Sequence, residues 1–290
     1  MSLHSKWTLQ PGWEDLLRRH GLDSLDRLYA VDTGEVFARS GTTEVRRIAL
    51  RDDQGTHVLF IKKYWFETLY DRFKGTFRGT LFGLSKVRRE GDNLLRLKAW
   101  GLDAPRLVAW GEERKGGWLR RSVLVTEGVP NPMSLDVWFL SVFPVLTPTE
   151  KRGHLQRLAT GLAAAMTRMH RHRFAHRDLF WRNIILSGSS LDRFYLIDSH
   201  HGHVWHPWNR SRRQTEDLAA LDAVAPLFMS SPQRIRFLLQ YLGLRRLTPQ
   251  TKTFVRRILK CAAPLRERQS RRLPRKAVAR SAQAITETQS

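Results

Sequence analysis

Residues 170–186 read HRHRFAHRDLFWRNIIL, and residues 194–198 read FYLID. Asp178 and Asn183 are five positions apart, and Asp198 ends a short apolar run fifteen positions after Asn183. Carboxylate and amide oxygens are ligands that Mg²⁺ prefers, and a carboxylate beside a hydroxyl accepts or orients its proton. The order and spacing are those of a catalytic loop followed by a metal-binding strand in phosphoryl transfer. We therefore interpret the rest of the chain as support for this centre.

The surroundings of the loop favour the same interpretation. A helix over residues 149–170 precedes it, and two apolar strands separated by a Gly-Ser turn follow it. The alternative is a basic helix–loop segment in which Asp178 caps a helix, because isolated motif matches also arise by accident. The helix and strands at the correct places make the catalytic interpretation the stronger one.

Composition indicates a globular protein of one large or two small domains. The chain has 290 residues, of which 41% are hydrophobic. Its apolar runs are shorter than the roughly 20 residues of a membrane-spanning helix, and residues 1–10 lack the apolar core of a signal peptide. Cys261 is the single cysteine, so no internal disulfide is possible. These features predict a cytoplasmic protein.

The charge is strongly basic, with 50 Lys and Arg against 27 Asp and Glu and a net charge of +23. Residues 245–280 contain 13 basic residues and one acid, and residues 62–89 contain 8 basic and 2 acidic residues. Such clusters indicate an anionic partner, which is a nucleic acid, an acidic membrane leaflet or a phosphorylated substrate. A solvated basic face is the alternative, and net charge does not choose among these partners.

The order of the elements predicts an α+β fold. Short strands and one helix come first: strands at 35–39, 44–50 and 57–62 in an antiparallel meander, a helix at 85–101, and strands at 105–111 and 121–127. After a Gly-Pro linker at 128–132 the pattern is helical: 134–143, 149–170, 215–228, 232–242 and 248–260. Strands followed by helices place a domain boundary near Gly128.

A lysine and a glutamate precede the loop in the order that ATP-binding sites use. Lys62 follows the apolar run 58–61, and Glu90 comes twenty-eight residues later on the predicted helix. A strand lysine of this kind holds ATP phosphates and is itself held by a helix glutamate. Singly, each is also compatible with a solvent-exposed surface residue. Lys63 competes with Lys62, which we prefer because it comes directly after the apolar run.

These motifs resemble the protein-kinase-like superfamily and, within it, the lipopolysaccharide-core kinase family, whose members phosphorylate Kdo or heptose sugars of the lipid A–core. The matching stretches span residues 30–222, and they are Gly34 to Val36, Ile61 to Tyr64, Arg88 to Glu90, Leu94 to Leu97, Gly101 with Pro105, Thr126 with Glu127, Met169 with His170, His176 to Leu179, Asn183 to Leu186, Ile197 with Asp198, and Glu216 to Leu218.

The resemblance implies a bilobal, protein-kinase-like α+β fold. Residues 28–128 would form a small lobe with an antiparallel sheet and one helix, and residues 129–262 a mainly helical large lobe. Residues 1–27 would be a lead-in. Residues 263–290 are polar and basic, and we expect them to be largely disordered.

The resemblance also implies roles for particular residues, with ATP and Mg²⁺ as cofactors. Asp178 would be the catalytic base, and Asn183 and Asp198 would bind the metal. The nucleotide contacts would be Lys62 paired with Glu90, Thr126 and Glu127 on a hinge segment facing adenine, and Gly34. His176 and Asp217 would brace the loop rather than take part in the chemistry.

Two departures from the kinase pattern bear on the substrate. The chain has no Gly-x-Gly-x-x-Gly loop, and only Gly34 and Gly41 flank the first predicted strand, at 35–39. Asp198 is followed by Ser-His-His-Gly instead of Phe-Gly. Asp217 comes only nineteen residues after Asp198, without the Ala-Pro-Glu segment on which protein substrates dock. The short connection favours a sugar acceptor over a protein Ser/Thr or Tyr kinase. A non-catalytic, basic binding protein on a kinase-like scaffold is the other alternative, which the intact motif set disfavours.

A histidine cluster and two tryptophans follow Asp198. The four histidines, which lack paired cysteines, suit a polar rim beside the active site better than a zinc site; they are His200, His201, His203 and His206. Trp205 and Trp208 are candidates for stacking on sugar rings, and packing in the core explains them equally well.

Aromatic and basic residues alternate over residues 62–89. Such interleaving suits a membrane interface, a phosphate-rich lipid-linked acceptor or single-stranded nucleic acid, and packing on the small lobe is an equal alternative. Given the predicted kinase centre, we interpret this stretch and residues 245–280 as a tether to an anionic leaflet. The expected partners are therefore ATP, an anionic glycolipid or lipopolysaccharide-core acceptor and the inner face of the cell membrane, rather than nucleic acid.

Overall fold

The computed structural model describes residues 3–66, 83–188 and 190–272. The chain forms two compact units. The N-terminal unit is Met1–Pro130 together with Asp198–Gly202, and the C-terminal unit is Asn131–Ile197 and His203–Ser290. The sequence predicts a boundary after residue 128 and assigns Asp198 to the second domain. The structure instead returns the five-residue segment Asp198–Gly202 to the N-terminal unit.

The N-terminal unit contains a six-stranded antiparallel sheet. Its strands are β1 (Leu3–Leu9), β2 (Glu35–Ser40), β3 (Thr43–Asp52), β4 (Gly55–Trp65), β5 (Leu107–Lys115) and β6 (Trp118–Glu127). Their order across the sheet is β1-β5-β6-β4-β3-β2, so the expected meander is β2 to β4. β1 pairs with β5 from Leu3 opposite Lys115 to Leu9 opposite Ala109. Residues 1–27 are therefore not a separate lead-in, because they supply an edge strand of the sheet.

Helices cover both faces of this sheet. The helices are α1 (Glu14–Arg19), α2 (Leu25–Ala30) and α3 (Lys86–Ala99). α1 and α2 pack on the face that includes Leu59 and Ile61, both fully buried. α3 packs on the other face, where Tyr64 lies. Because side chains alternate along a strand, Lys62 of β4 lies on the α3 face with Tyr64.

The C-terminal unit is mainly helical. Its helices are α4 (Leu135–Ser141), α5 (Pro148–Arg171), α6 (Arg210–Asp222), α7 (Ser231–Leu242) and α8 (Pro249–Ser270). Its short strands are β7 (Pro132–Ser134), β8 (Phe174–Ala175), β9 (Ile184–Ser187), β10 (Ser190–Leu196) and β11 (His203–Val204). β10, β9 and β7 form one antiparallel sheet, and β11 pairs with β8. The five predicted helices are present; the boundaries of the first four differ from the prediction by at most six residues, and the last helix extends further.

The last helix is longer than the sequence predicts. α8 passes through Pro264 and ends at Ser270, so residues 264–270 are helical rather than disordered. Two tertiary contacts offset the helix-breaking effect of the proline: Ala262 is fully buried, and Arg266 donates to Asp222 of α6 at 2.6 Å. The predicted disorder of residues 273–290, and the aromatic and basic stretch at 67–82, lie outside the described residues.

Within residues 3–66, 83–188 and 190–272, none of the helices combines the length and apolar character needed to cross a membrane.

Candidate active site

A cluster of ionisable side chains lies on the α3 face of the N-terminal sheet, and we call it the lysine cluster: Lys62, Glu90, Asp198 and His200. The Lys62 ammonium donates to Glu90 Oε2 at 3.1 Å and to Asp198 Oδ1 at 2.8 Å. His200 Nδ1 lies 2.9 Å from the same Asp198 oxygen. The lysine–glutamate pair expected from the sequence is therefore formed, and Asp198 joins it.

The cluster holds Lys62 and Asp198 in their charged forms. Burial lowers the pKa of Lys62, but Glu90 and Asp198 outweigh this effect and raise the pKa well above its ordinary value. Burial raises the pKa of Asp198, but the hydrogen bond from His200 and the charge of Lys62 hold that pKa well below its usual range. Lys62 is thus a cation and Asp198 an anion throughout the physiological pH range.

The segment that carries Asp198 is held to α3 by a buried amide. Asn93 Nδ2 donates to the carbonyl oxygens of Ser199 at 2.8 Å and Gly202 at 2.9 Å. Asp198 itself has a left-handed backbone, with φ of +60°. A non-glycine residue in that conformation costs free energy, which packing and hydrogen bonds around it must offset. The Asn93 contacts explain why Asp198–Gly202 belongs to the N-terminal unit.

The competing lysine has a different environment. Lys63 points to the opposite face of β4, where its ammonium donates to the Val31 carbonyl and lies 3.9 Å from Glu44 Oε1. Burial lowers the pKa of Lys63. The preference for Lys62 therefore agrees with the geometry of the strand.

The other predicted nucleotide contacts lie at strand ends. Thr126 and Glu127 are the last residues of β6, and Thr126 is opposite Phe60 of β4. Glu127 Oε1 lies 3.9 Å from His57 Nδ1. Gly34 directly precedes β2, and a Cβ there would lie 2.5 Å from the Arg47 carbonyl oxygen. Its φ of +83° and this close approach give a structural reason for glycine, so a nucleotide contact at Gly34 stays a prediction.

The C-terminal unit carries the predicted catalytic loop, residues 176–183. The Asp178 carboxylate accepts from Arg182 Nη2 at 2.9 and 3.1 Å and from Asn183 Nδ2 at 2.8 Å. Asn183 Nδ2 also donates to the Asp178 carbonyl at 2.8 Å. The side chain of Asp178 keeps 20% of its surface exposed. The loop therefore presents an oriented carboxylate that solvent, or an acceptor, can reach.

A fully buried carboxylate fixes the backbone of the loop. Asp217 of α6 accepts from the backbone N–H of His176 at 2.9 Å and of Arg177 at 2.7 Å. Its Oδ2 also lies 3.2 Å from His170 Nε2, and His170 Nδ1 lies 2.8 Å from the Tyr241 hydroxyl. This buried network supports the bracing role predicted for Asp217. His176 is itself fully buried, which suits a bracing role.

The oxygens expected to bind metal are of the right kind for Mg²⁺. Asn183 uses its amide nitrogen on Asp178, and its amide oxygen accepts no hydrogen bond from the described residues. Asp198 receives Lys62 and His200 on Oδ1, and Oδ2 accepts none within the described ranges. One amide oxygen and one carboxylate oxygen are hard ligands of the type Mg²⁺ prefers.

A second grouping of potential metal ligands is better explained without a metal. Glu90, Asp198 and His200 place ligand atoms within 4.8 Å of one another. The Lys62 ammonium is bonded to both carboxylates, so these anions already share a cation. Among the histidines after Asp198, the His200 and His201 rings are tilted with centroids 4.0 Å apart, His203 lies in β11, and His206 stacks on Trp208.

Three residues position the predicted ones: Arg182 and Asn93 were not predicted from the sequence, and His200 was expected only as part of a polar rim beside the active site. Arg182 holds Asp178, His200 holds Asp198, and Asn93 holds the segment after Asp198. A signal existed for Arg182, since it follows Asp178 by four positions in the same loop. The sequence around Asn93 carries no such signal, because the partners of Asn93 are backbone carbonyls more than a hundred residues away.

The lysine cluster and the catalytic loop are the kind of arrangement found in phosphotransferases of the protein-kinase-like class. Residues 35–241 match the model of the lipopolysaccharide kinase (Kdo/WaaP) family. This match covers most of the chain, and the protein therefore belongs to that family, whose members are kinases that act on sugar hydroxyls of the lipopolysaccharide core.

A solved structure has the same fold. It is described as WaaP in complex with acyl carrier protein, and it is similar to this chain with a TM-score of 0.62 and 23% sequence identity. The likeness covers 92% of this chain and 99% of that one. At this identity the likeness shows the fold, and it confirms the protein-kinase-like α+β prediction. No curated protein matches the sequence.

Proposed function

We propose that the protein is an ATP- and Mg²⁺-dependent kinase that phosphorylates a hydroxyl of Kdo or heptose in the lipopolysaccharide core. The observation that carries the proposal is the bond of the Lys62 ammonium to both Glu90 and Asp198. A lysine held between a helix glutamate and the acid of a metal-binding segment is the arrangement that phosphoryl transfer from ATP requires.

Each residue has a separate task in the proposed reaction. Lys62 would bind the ATP phosphates, and Asn183 and Asp198 would hold Mg²⁺, which supplies neutralisation of phosphate charge when bound. Asp178 accepts a hydrogen bond from the acceptor hydroxyl and orients it toward the phosphorus. Arg182 holds the Asp178 carboxylate in place. Phosphoryl transfer depends mainly on such positioning and on charge neutralisation.

Phosphate transfer from radiolabelled ATP tests the proposal. We expect label in purified lipid A–core saccharide with Mg²⁺ present and none after chelation with EDTA. A generic protein acceptor is the comparison, because a protein kinase would label it instead. Transfer to the protein acceptor alone would overturn the sugar assignment, and transfer to neither would overturn the proposed activity.

Membrane association is proposed from the distribution of charge. The exposed residues of α8 and of the turn before it include many cations: Arg245, Arg246, Lys252, Arg256, Arg257, Lys260 and Arg268. Each basic residue near an anionic leaflet contributes about 1 kcal/mol to binding. We therefore place the protein peripherally at the cytoplasmic face of the inner membrane. Co-sedimentation with liposomes tests this, and equal binding to neutral and anionic vesicles would contradict it.

An acyl carrier protein is a second candidate partner, because the similar WaaP structure contains one. The C-terminal unit has a cavity of about 610 Å³ lined mainly by apolar side chains, among them Leu155, Leu158 and Leu162 of α5 and Leu221 of α6. An acyl chain is a ligand of matching character. Acylated carrier protein should bind more tightly than the unacylated form, and Leu158→Trp should abolish that difference by filling the cavity.

A further inference from the structure

The two carboxylate oxygens of Asp198 have different surroundings. Oδ1 accepts from the Lys62 ammonium at 2.8 Å and lies 2.9 Å from His200 Nδ1. Because an ionised carboxylate only accepts hydrogen bonds, Nδ1 is the protonated nitrogen and the donor. Two donors therefore use both lone pairs of Oδ1, whereas Oδ2 accepts no hydrogen bond from residues 3–66, 83–188 and 190–272. Oδ2 is the oxygen left for a ligand.

The turn that carries His200 is fixed by α3. Ser199–His201 form one short 3-10 turn, and the Asn93 amide donates to the carbonyl of the first residue of this turn and to that of Gly202. Arg96 Nη1 in turn donates to Asn93 Oδ1 at 3.1 Å, which fixes which end of the amide faces the turn. His200 is itself only 9% exposed. The contact between His200 and Asp198 is therefore built into a buried, hydrogen-bonded arrangement.

The number of oxygens that Asp198 can offer bears on which divalent cation binds. Mg²⁺ demands near-ideal octahedral geometry, which the two oxygens of one carboxylate are too close together to satisfy, so it takes one oxygen from each carboxylate. Ca²⁺ is larger and accepts one or both oxygens of a carboxylate in a flexible geometry. A carboxylate whose Oδ1 is occupied by two donors is therefore restricted to the coordination that suits Mg²⁺.

We propose that His200 is a positioning residue of the magnesium site: with Lys62 it occupies Oδ1 of Asp198, so that Asp198 binds the metal through Oδ2 alone and favours Mg²⁺ over Ca²⁺. This inference rests on the proposed function, in which Asp198 holds Mg²⁺, and it adds the residue that sets how Asp198 does so. His200 acts through Asp198, since its nitrogen nearest to the carboxylate is a hydrogen-bond donor and not a metal ligand.

Competition titrations measure metal binding without relying on turnover. The full-length protein is saturated with ADP and titrated with Mn²⁺, whose free fraction is read from its electron paramagnetic resonance signal, and Mg²⁺ or Ca²⁺ then displaces the bound Mn²⁺. His200→Ala leaves Oδ1 with Lys62 alone and should weaken Mg²⁺ binding roughly 10- to 100-fold, which is the usual effect of removing a partner of a metal ligand. Ca²⁺ binding should weaken less, so the preference for Mg²⁺ over Ca²⁺ should fall.

Two conservative variants separate positioning from a general structural role. His200→Asn places an amide N–H donor as many bonds from Cα as Nδ1 and should restore most of the Mg²⁺ affinity. His200→Gln places the same amide one bond further away and should not restore it. The comparison between these variants holds even where both are less stable than the wild type. His206→Ala is the matched control, because it removes a histidine from the same stretch whose ring stacks on Trp208, and it should leave the affinities for both metals unchanged.

The outcomes separate this inference from the proposed function. Wild-type affinity for Mg²⁺ and an unchanged preference over Ca²⁺ in His200→Ala overturn the inference and leave the kinase assignment intact. Loss of metal binding in His200→Ala without rescue by His200→Asn means that the imidazole itself binds the metal, which also overturns the inference. Wild-type protein that binds neither Mn²⁺ nor Mg²⁺ in the presence of ADP overturns both this inference and the proposed magnesium dependence.

Discussion

The lysine cluster and the catalytic loop are held in place by different kinds of interaction. In the lysine cluster, charged groups hold one another, and the Lys62 and Asp198 side chains remain 20% and 32% exposed. In the catalytic loop, the backbone is held by Asp217, a carboxylate with no exposed surface. The first arrangement consists of charges that can exchange partners, and the second of buried hydrogen bonds that cannot.

This contrast indicates that the lysine cluster is suited to binding ligands and that the network around Asp217 is suited to holding the catalytic loop in position. A phosphate or a metal can compete with an ion pair near the surface, because exposed charges keep some hydration and lose little when they change partner. A buried carboxylate that accepts two backbone N–H groups has no substitute partner, so its loss leaves donors unsatisfied. Substitutions in the lysine cluster should therefore change ATP kinetics, and those around Asp217 should change stability and the loop together.

The largest expected effect comes from the residue that the catalytic loop presents. Asp178→Ala should lower kcat by roughly 10²- to 10⁴-fold, which is the usual contribution of a positioned general base. Initial rates of phosphate transfer to lipid A–core measure it, and circular dichroism checks that the fold is kept. Activity equal to that of the wild type would show that Asp178 is not the base.

The next effect tests the buried network. Asp217→Ala removes the acceptor of the His176 and Arg177 N–H groups and should lower the free energy of unfolding by about 3 kcal/mol, with loss of activity. Urea unfolding followed by tryptophan fluorescence measures the change. Glu216→Ala is the control, since its partly exposed ion pairs with Arg212 and Arg213 on the same helix should contribute less than about 1 kcal/mol each. If Asp217→Ala and Glu216→Ala lowered the free energy of unfolding by similar amounts, the buried carboxylate would not have the special stabilising role assigned to it.

The adjacent lysines give a sharper comparison. Lys62→Ala should lower kcat/KM for ATP by roughly 10- to 100-fold, because a charge-assisted contact contributes about 1.5–3 kcal/mol. Lys63→Ala removes an equally basic residue whose partners are Val31 and Glu44. It should reduce stability and leave the KM for ATP unchanged. The assignment of Lys62 fails if the two variants give the same kinetic defect.

The smallest effect is a pH dependence of stability at alkaline pH. Burial and the charge of Asp217 raise the pKa of Tyr241 above the ordinary tyrosine value of 10.0. Above pH 10 the unfolded chain loses this proton before the folded chain does, so stability falls by about 1.4 kcal/mol per pH unit for this group. Below pH 10 the tyrosine contributes no slope. The difference between the urea unfolding midpoints at pH 9 and pH 11 should therefore be smaller in Tyr241→Phe than in the wild type. An equal difference in the two proteins would contradict this role of Tyr241.

Local patterns predicted the parts of the fold that depend on neighbours in sequence. The apolar run before Lys62 was enough to choose Lys62 over Lys63 as the lysine that pairs with Glu90. The helix before the catalytic loop and the strands after it also follow from periodicity. Local patterns could not predict pairing between strands that are distant in sequence. β1 has no strong strand signal, and it forms because it pairs with the edge strand β5.

Tertiary contacts overrode local propensity in α8. Pro264 predicts a helix end, yet the helix continues because Ala262 is buried and Arg266 reaches Asp222. The contacts that complete the candidate site are also non-local. Asn93 holds backbone atoms of residues 199 and 202, and no spacing in the sequence indicates an interaction with backbone carbonyls.

The return of Asp198–Gly202 to the N-terminal unit has a consequence for biosynthesis. The chain changes unit after Pro130, after Ile197 and after Gly202. A ribosome adds about 5–20 residues per second, so roughly 4 to 14 s separate the synthesis of residue 130 from that of residue 202. During this interval the nascent N-terminal unit lacks the carbonyls that Asn93 binds and the second carboxylate of Lys62. Ribosome-arrested chains ending before residue 198 should therefore hold an N-terminal unit that is more easily digested by protease than the same unit in longer chains.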